Sequence, residues 1–165
     1  MGIKIVSDTC IIGIDPGSQV TGFGVIQKQG HKIFYVASGC IRIGKYPWPE
    51  RLKHLFEGVN EIIAQYKPDV GAIEQVFMHK NVAAALKLGQ ARGAALVALA
   101  SANLLVEEYS ARAVKKAVVG YGAADKQQVQ HMMKALLKLN GLPPEDAADA
   151  LAIAICHAQT EREFL

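Results

Sequence analysis

Two acidic residues in this sequence each follow a short apolar run. Asp15 ends the run Cys10–Ile14 and precedes the turn residues Pro16–Ser18. Glu74 ends the run Val70–Ile73. A helix is predicted between the two runs, and strands joined through a helix normally lie parallel. We therefore predict that both carboxylates stand at strand ends on the same edge of one sheet.

Two further acids share one face of a predicted helix. Asp146 and Asp149 are three residues apart near the start of a helix predicted over Glu145–Thr160, so they lie on the same side. The helix dipole stabilises acids in a first turn, which explains Asp146 without any function. It explains Asp149 less well, because the sequence becomes strongly apolar at Ala150–Ile155 and a carboxylate entering that stretch is costly unless paired with a cation.

Together these acids predict a site for divalent cations. Carboxylate oxygens suit hard ions such as Mg²⁺ or Mn²⁺ better than Zn²⁺. Two such ions about 3.5–4 Å apart can activate a water and stabilise the leaving oxygen during attack on a phosphodiester. For any one of the acids alone, the alternative is a solvated aspartate in a turn or helix cap. The candidate catalytic and metal-binding residues are Asp15, Glu74, Asp146 and Asp149.

The distribution of charge indicates a polyanionic partner. The chain has 18 Lys and Arg against 15 Asp and Glu, a net charge of only +3. Between residues 76 and 138, however, nine basic residues accompany three acids, so this segment carries +6 and the remainder −3. A basic face beside an acidic site suits a nucleic-acid backbone, although a solvated helix face explains a mild excess equally well.

The rest of the chain supplies the elements that position the acids. Three strands come first and are expected to form an antiparallel meander; in the third, Ser38-Gly39 interrupts the strand composition. Helices and strands then alternate. The predicted strands are Cys10–Ile14, Thr21–Gln27, Lys32–Ile43, Val70–Ile73 and Leu104–Tyr109, and the predicted helices are Glu50–Tyr66, Val82–Ser101, a short one capped by Ser110 and ending at Val119, Ala124–Leu139 and Glu145–Thr160.

Glycine pairs mark two places where backbones can approach closely. Gly22 and Gly24 leave room beside a strand for another backbone or a ligand. Gly89 and Gly93 are one turn apart in the Ala-rich helix and allow a sheet or another helix to approach it.

The composition is that of an ordinary soluble globular protein, with 51% hydrophobic and 20% charged residues. Its 165 residues suit one domain, residues 1–165, with a core that needs no disulfide or metal. Cys10, Cys40 and Cys156 lack metal-ligand spacing, so we expect buried free thiols in a reducing compartment. We expect a cytoplasmic protein with no membrane segment, because neither a signal peptide nor a run of about 18 uncharged apolar residues is evident.

Five motifs, in order and across almost the whole chain, together resemble one known family. Each motif alone is weak, but the set is highly specific. The chain resembles the RuvC family of Holliday-junction resolvases through GIDPGS at 13–18 followed by Thr21-Gly22, AIEQVFM at 72–78, ALKLGQARG at 85–93, QVQHM at 128–132 and DAADALAIAI at 146–155.

The resemblance implies an α/β, ribonuclease-H-like fold, in which a mixed sheet of three antiparallel and two parallel strands has helices on both faces. It also implies a crossover junction endodeoxyribonuclease, a homodimer that cuts four-way DNA junctions by paired symmetric nicks in recombination and repair. Its cofactor would be Mg²⁺, replaceable by Mn²⁺, with two ions per active site. Its partners would be junction DNA and the branch-migration proteins RuvA and RuvB.

Site residues follow from the same motifs. The four acids match the family's metal-binding catalytic residues. Phe77 matches an aromatic in the loop after the second acid, which is similar to a stacking wedge near the junction centre. Lys115 and Lys126 match basic positions close to the cleaved strand. The chain departs from some members in lacking a basic C-terminal tail, since it ends with Glu161–Leu165.

Two rival functions use parts of the same pattern. An actin-like ATPase also begins with a strand, an Asp and a Gly turn, but it needs a second related domain that 165 residues cannot supply. A non-catalytic junction-binding module would keep the basic segment and Phe77 and could dispense with the acids. The presence of all four acids favours the nuclease.

Overall fold

A five-stranded sheet organises the protein. The computed structural model describes residues 8–75, 81–120 and 124–160. These residues form strands β1 (Asp8–Asp15), β2 (Val20–Gln29), β3 (Lys32–Arg42), β4 (Val70–Glu74) and β5 (Leu105–Tyr109), and helices α1 (Trp48–Tyr66), α2 (Val82–Ser101), α3 (Ala111–Val119), α4 (Lys126–Leu136) and α5 (Glu145–Thr160).

The sheet combines antiparallel and parallel pairing in the order β3-β2-β1-β4-β5. β2 pairs antiparallel with both β1 and β3, which confirms the predicted meander. β4 is parallel to β1, and β5 is parallel to β4. Strands β1, β3, β4 and β5 therefore run in one direction and end together at Asp15, Arg42, Glu74 and Tyr109, an edge that we call the acidic edge.

Each face of the sheet carries its own hydrophobic core, because side chains alternate along the strands. In β1, Ile11 belongs to the core shared with α3, α4 and α5, whereas Ile12 and Ile14 belong to the core shared with α1 and α2. Helices cover both faces, as predicted. The largest fully buried side chains are Ile11, Ile12, Ile14, Ile26, Ile43, Leu55, Ile73, Leu99, Met133, Leu151, Ile153 and Ile155.

Helix α5 is the most deeply enclosed element, with 11 buried residues. It lies against strand glycines: a Cβ added to Gly13 would stand 2.1 Å from the carbonyl oxygen of Ala150, and one added to Gly24 would stand 2.7 Å from the amide nitrogen of Leu151. Only glycine permits a helix backbone to approach a strand this closely. The close approach predicted beside Gly24 is confirmed, and the neighbour is the backbone of α5.

Helix α2 packs on the opposite face mainly through small side chains. Ala91, Ala95 and Ala98 are buried against the sheet and α1. A Cβ added to Gly89 or Gly93 meets no atom within 4 Å. The two glycines predicted to admit a neighbour therefore contact nothing across the described ranges of this chain.

Among the described residues, α2 is also the one helix long and apolar enough to cross a membrane, judged by length and composition alone. It has 20 residues, and 22% of its apolar window is buried. Lys87 and Arg92 interrupt that window. Arg92 forms an ion pair with Glu108 of β5, which ties this helix to the sheet.

The predicted end of α4 at Leu139 is wrong, since the helix ends at Leu136. Lys138 adopts a left-handed φ of 54°, and the amide of Leu139 donates to the carbonyl of Lys134 at 3.0 Å. This is the hydrogen-bond pattern that ends a helix.

The third strand, predicted over Lys32–Ile43, is confirmed as β3, which continues through Ser38 and Gly39 although these two residues are not typical of a strand. Gly39 pairs with Phe23 of β2, and the Phe23 ring lies where a Gly39 side chain would stand, 2.9 Å from its Cβ position. The ring covers the glycine and replaces the missing cross-strand contact.

All three cysteines are free, as predicted. The predicted burial holds for Cys156 in α5 and is wrong for Cys10 and Cys40, which lie on strands and are only partly buried.

Candidate active site

Strand pairing brings the first two acids together. Ile14 of β1 pairs with Ile73 of β4 in parallel register, so the next residues, Asp15 and Glu74, are neighbours at the acidic edge. Alternation also places both on the face covered by α5, because Ile14 and Ile73 belong to the α1/α2 core. The prediction that these carboxylates share one sheet edge is confirmed.

Helix α5 carries the other two acids to this edge. Its first turn lies over β2, where a Cβ on Gly22 would stand 1.9 Å from the carbonyl oxygen of Asp146. Gly22 in turn pairs with Asp15 across the antiparallel ladder. Because no side chain separates helix from strand here, Asp146 and Asp149 lie in the same charged neighbourhood as Asp15.

A cleft of about 270 Å³ opens at this edge between the sheet and helices α3, α4 and α5. Asp146 stands beside the cleft rather than in its wall, although its charge acts on both Asp15 and Asp149. The cleft is lined by Asp15, Glu74, Ala111, Val114, Lys115, Lys126, Val129, Asp149, Ala152 and Ile153.

Burial and mutual repulsion disfavour negative charge on these acids. Burial, together with the carboxylates of Asp149, Glu74 and Asp146, raises the pKa of Asp15 to about 8. Burial likewise raises the pKa of Asp149 to about 6, against the opposing effect of Lys126. Burial also raises the pKa of Glu74. Such a site binds either protons or cations.

Two lysines supply positive charge at the cleft wall. Lys115 of α3 and Lys126 of α4 both lower the pKa of Glu74, in opposition to burial. Lys126 forms an ion pair with Glu145, and the hydrogen bond between them is the main cause of its own raised pKa. Asp125 and Gln128 form a capping box that fixes the start of α4 and so places Lys126 at the cleft.

The donor set fits a hard divalent cation. Four carboxylates with few opposing charges surround one cleft, and a bound cation would relieve the repulsion that raises the pKa of Asp15. In the described ranges, no three His, Cys, Asp or Glu side chains already stand within ligand distance of one point. Binding therefore requires the carboxylates to turn inward, which terminal carboxylate torsions permit readily.

Arg92 is a residue of this site that the sequence patterns did not single out. Its Nε donates to the carbonyl oxygen of Glu74 at 3.2 Å, and its Nη2 donates to a carboxylate oxygen of Glu108 at 2.6 Å. The side chain is only 15% exposed. It fixes the backbone from which the Glu74 carboxylate projects. The one available signal was a lone arginine in an alanine-rich apolar helix.

A second buried contact supports the neighbouring strand. Tyr109 pairs with Glu74 between β4 and β5. A 2.6 Å hydrogen bond joins its hydroxyl group to Nδ1 of the buried His157 in α5. This bond links the end of β5 to the helix that carries Asp149. His157 is itself buried, with 5% of its surface exposed.

Phe77 lies outside the described residues, between the end of β4 and the start of α2.

The order and direction of the strands, with helices on both faces, define a ribonuclease-H-like α/β fold. A solved structure of a yeast mitochondrial Holliday junction resolvase, Ydc2, shares the fold with a TM-score of 0.67 at 11% identity, covering 98% of this chain and 87% of that one. The predicted fold class is confirmed.

The family follows from closer matches. The family model described as "Crossover junction endodeoxyribonuclease RuvC" matches residues 11–157. Relatives with that name from Vibrio cholerae and Tolumonas auensis are 60% and 58% identical, covering 94% and 95% of this chain and 90% and 91% of theirs. The chain belongs to the RuvC family of crossover junction endodeoxyribonucleases.

A solved structure supports the same conclusion. Thermus thermophilus RuvC in complex with a Holliday junction substrate is similar with a TM-score of 0.87 and 34% identity, covering 94% of this chain and 96% of that one. Enzymes of the family are nucleases that hydrolyse phosphodiester bonds and depend on divalent metal. Family membership confirms the predicted enzyme class and rejects the non-catalytic module and the ATPase fragment.

Proposed function

We propose that this protein resolves four-way DNA junctions by hydrolysing a phosphodiester in each of two strands, with Asp15, Glu74, Asp146 and Asp149 as its metal ligands. The observation that carries the proposal is the convergence of the four carboxylates at one sheet edge, where burial and the neighbouring carboxylates raise the pKa of Asp15 and of Asp149. A solvated surface would not hold them together. The Thermus relative bound to a Holliday junction supports the choice of substrate.

The protein groups divide the chemical work. Asp15 and Glu74, held by strand pairing, and Asp146 and Asp149, held by α5, would together hold the cation at the acidic edge. Divalent metal, when bound, lowers the pKa of a water and stabilises charge on the scissile phosphate. Lys115 and Lys126 stand in the cleft wall, where their ammonium groups can hold the DNA strand against the carboxylates.

Mg²⁺ is the proposed ion, with Mn²⁺ able to replace it, because the donors are carboxylates without sulfur or imidazole. Two ions per site are proposed because four carboxylates carry enough negative charge for two divalent ions, and an in-line attack needs both the attacking and the leaving oxygen stabilised. Metal titration of metal-depleted protein, read by calorimetry, would give the number bound.

A homodimer is proposed because one cleft cannot make paired nicks and a two-fold junction suits a two-fold protein. The open face of α2 at Gly89 and Gly93 is the candidate interface. We further propose that the chain acts as one domain, residues 1–165, in the cytoplasm with RuvA and RuvB. Sedimentation at micromolar concentration tests the dimer: a monomer both with and without DNA would contradict it.

Phe77 is proposed to stack on bases near the junction centre. Stacking contributes about 1–3 kcal/mol per base, so Phe77→Ala should slow cleavage more than it weakens binding. Lys115→Ala and Lys126→Ala should instead reduce the slope of log affinity against log salt by about one unit each, if each lysine contacts a phosphate.

The decisive experiment is cleavage of a labelled mobile junction in Mg²⁺, with both nicks mapped. Asp15→Asn, Glu74→Gln, Asp146→Asn and Asp149→Asn should each abolish cleavage while junction binding without metal persists. Asp69→Asn is the matched control: this aspartate is at the opposite end of β4, where it accepts from the amide of Cys10 at 2.8 Å, and asparagine can still accept. A site variant that nicks at the wild-type rate would remove that residue from the metal site.

A further inference from the structure

The starts of α1 and α2 lie near the acidic edge, on the face of the sheet opposite the cleft. β3 ends at Arg42 on that edge, α1 starts soon afterwards at Trp48, and α2 starts after the end of β4. The first turns of both helices therefore lie beside the turn that follows Asp15. The amide of Ile43 donates to the carbonyl of Gln19 at 2.9 Å, which joins the two connections directly.

Basic side chains lie against an aromatic ring where α1 and α2 begin. The Nζ of Lys87, in the second turn of α2, lies 5.5 Å from the centre of the Trp48 ring, and the guanidinium carbon of Arg51 lies 5.8 Å from it. The indole Nε1 donates to Gln90 at 2.5 Å, which orients the ring between the two cations. Trp48 thus holds together cations from two different helices.

A second ring extends the group. The Nζ of Lys45 lies 5.2 Å from the centre of the Tyr46 ring, which stacks on His54 at 3.7 Å. Arg51 donates to the carbonyl of Tyr46 at 2.7 Å and to the carbonyl of Ser18 at 3.2 Å. Because Ser18 is in the turn after Asp15, the group is tied to the catalytic turn. We call Lys45, Tyr46, Trp48, Arg51 and Lys87 the basic–aromatic patch.

The cations of this patch are held by rings and carbonyls rather than by acids. In the part of the chain that the structure describes, Lys45, Arg51 and Lys87 have no carboxylate within ion-pair distance. Arg92, Lys126 and Lys53 do, with Glu108, Glu145 and Glu57. The acid in the same turn, Glu50, is exposed, so the patch keeps a net positive charge.

We propose that the basic–aromatic patch binds the DNA phosphate backbone on the α1/α2 side of the acidic edge. The inference rests on the proposed junction cleavage and adds to it a second anchoring surface, on the opposite side of the sheet edge from Lys115 and Lys126. Cations fixed over aromatic rings lose little side-chain freedom when they meet a phosphate, so they suit a polyanion that lies across the edge.

The test measures junction affinity at several salt concentrations without metal, for wild type, Lys45→Ala, Lys87→Ala and the double variant. Each single change should lower the slope of log affinity against log salt by about one unit, and the double variant by about two. Trp48→Leu should weaken binding while leaving the slope unchanged, because it disorders the cations without removing one.

Lys53→Ala is the matched control, an exposed lysine of α1 paired with Glu57 at 3.9 Å, and its slope should equal that of wild type. Unchanged slopes for both Lys45→Ala and Lys87→Ala would overturn the inference. If Lys87→Ala also alters self-association, the salt slope of Lys45→Ala alone decides whether the patch binds DNA, because Lys45 lies outside α2, the candidate dimer interface. Cleavage at saturating protein separates the two proposals: wild type that fails to nick the junction refutes the function, whereas normal nicking with unchanged slopes refutes only the patch.

Discussion

Helices α5 and α2 are both rich in alanine, yet they meet their surroundings in opposite ways. α5 lies between the sheet and two other helices, and glycines of β1 and β2 allow its backbone to within side-chain distance of the strands. α2 covers one face of the sheet with three buried alanines, while its own glycines face open space. Strand glycines beneath α5 bring its acids close to β2, whereas the glycines of α2 itself leave a surface uncovered.

The difference shows that small residues do not by themselves indicate whether a helix is closely packed. At α5 the glycines are on the partner strands, so the close approach is built within the chain and determines where Asp146 and Asp149 stand. At α2 the glycines are on the helix itself, and no described part of the chain lies beside them. Substitutions that add a single methyl group test the two situations directly.

The largest effect is expected for Gly13→Ala, on the packed side. The new Cβ would stand 2.1 Å from the carbonyl oxygen of Ala150 and 2.9 Å from the amide nitrogen of Ala154, so α5 must move away from β1. We expect a loss of about 3 kcal/mol or more in the free energy of unfolding. Urea denaturation measures it, and a loss below about 1 kcal/mol would show that the two elements are less tightly packed.

The second-largest effect is expected for Asp15→Asn, which removes one of the negative charges that this packing brings together. The pKa of Asp15 is raised from 3.8 to about 8, so the folded protein holds this proton more tightly than the unfolded chain. Its contribution to stability is complete below pH 3.8 and is lost as the pH rises through about 8. In metal-free buffer, Asp15→Asn should therefore have the higher melting temperature at pH 8, by about 5 °C.

Thermal melts of metal-free Asp15→Asn and wild type from pH 5 to pH 8 measure this difference. The gap should widen as the pH rises and should shrink when Mg²⁺ is added, because the cation replaces the proton. Equal melting temperatures at every pH would mean that neither burial nor the neighbouring carboxylates raise the pKa of Asp15.

The third-largest effect is expected at Arg92, the residue of α2 that contacts the backbone of Glu74. Arg92→Met removes both the bond to the Glu74 carbonyl and the ion pair with Glu108, which frees the backbone that carries Glu74. Cleavage at saturating DNA should slow by roughly tenfold or more, with junction binding unchanged. The Mg²⁺ concentration for half-maximal cleavage should also rise, an effect that a general loss of stability would not produce.

Arg92→Lys is the companion variant. A lysine can donate to one of the two partners but not to both at once, so its cleavage rate should be intermediate between those of wild type and Arg92→Met. A wild-type rate and metal requirement for Arg92→Met would leave Arg92 with no role in positioning Glu74.

The smallest effect is expected for Gly89→Ala, the same methyl addition on the open helix. Nothing in the described chain lies within 4 Å of the new Cβ, so the monomer should gain up to about 1 kcal/mol of stability from helix propensity. If α2 is the dimer interface, self-association should weaken at the same time. Urea denaturation and sedimentation equilibrium measure the two quantities, and a clear loss of monomer stability would contradict the open face.

Much of the fold could be predicted from the sequence because its signals are local. Apolar runs, turn residues and helical spacing are set by neighbours along the chain, so the order of elements, the bounds of α2 and α5 and the cap at Ser110 all agree with prediction. The end of α4 was less predictable, because it depends on a left-handed residue, Lys138.

The sequence by itself determined which residue types could do chemistry: carboxylates at two strand ends and on one helix turn, and motifs in the order of one family. Only the tertiary structure decided how they meet. Strand register made Asp15 and Glu74 neighbours, and glycines on β1 and β2 allowed α5 to carry Asp149 into their cleft. The link from Arg92 to Glu74 and the rings that gather Lys45 and Lys87 join residues far apart in the chain. No local pattern encodes such contacts, because their geometry exists only after the sheet and its helices have packed.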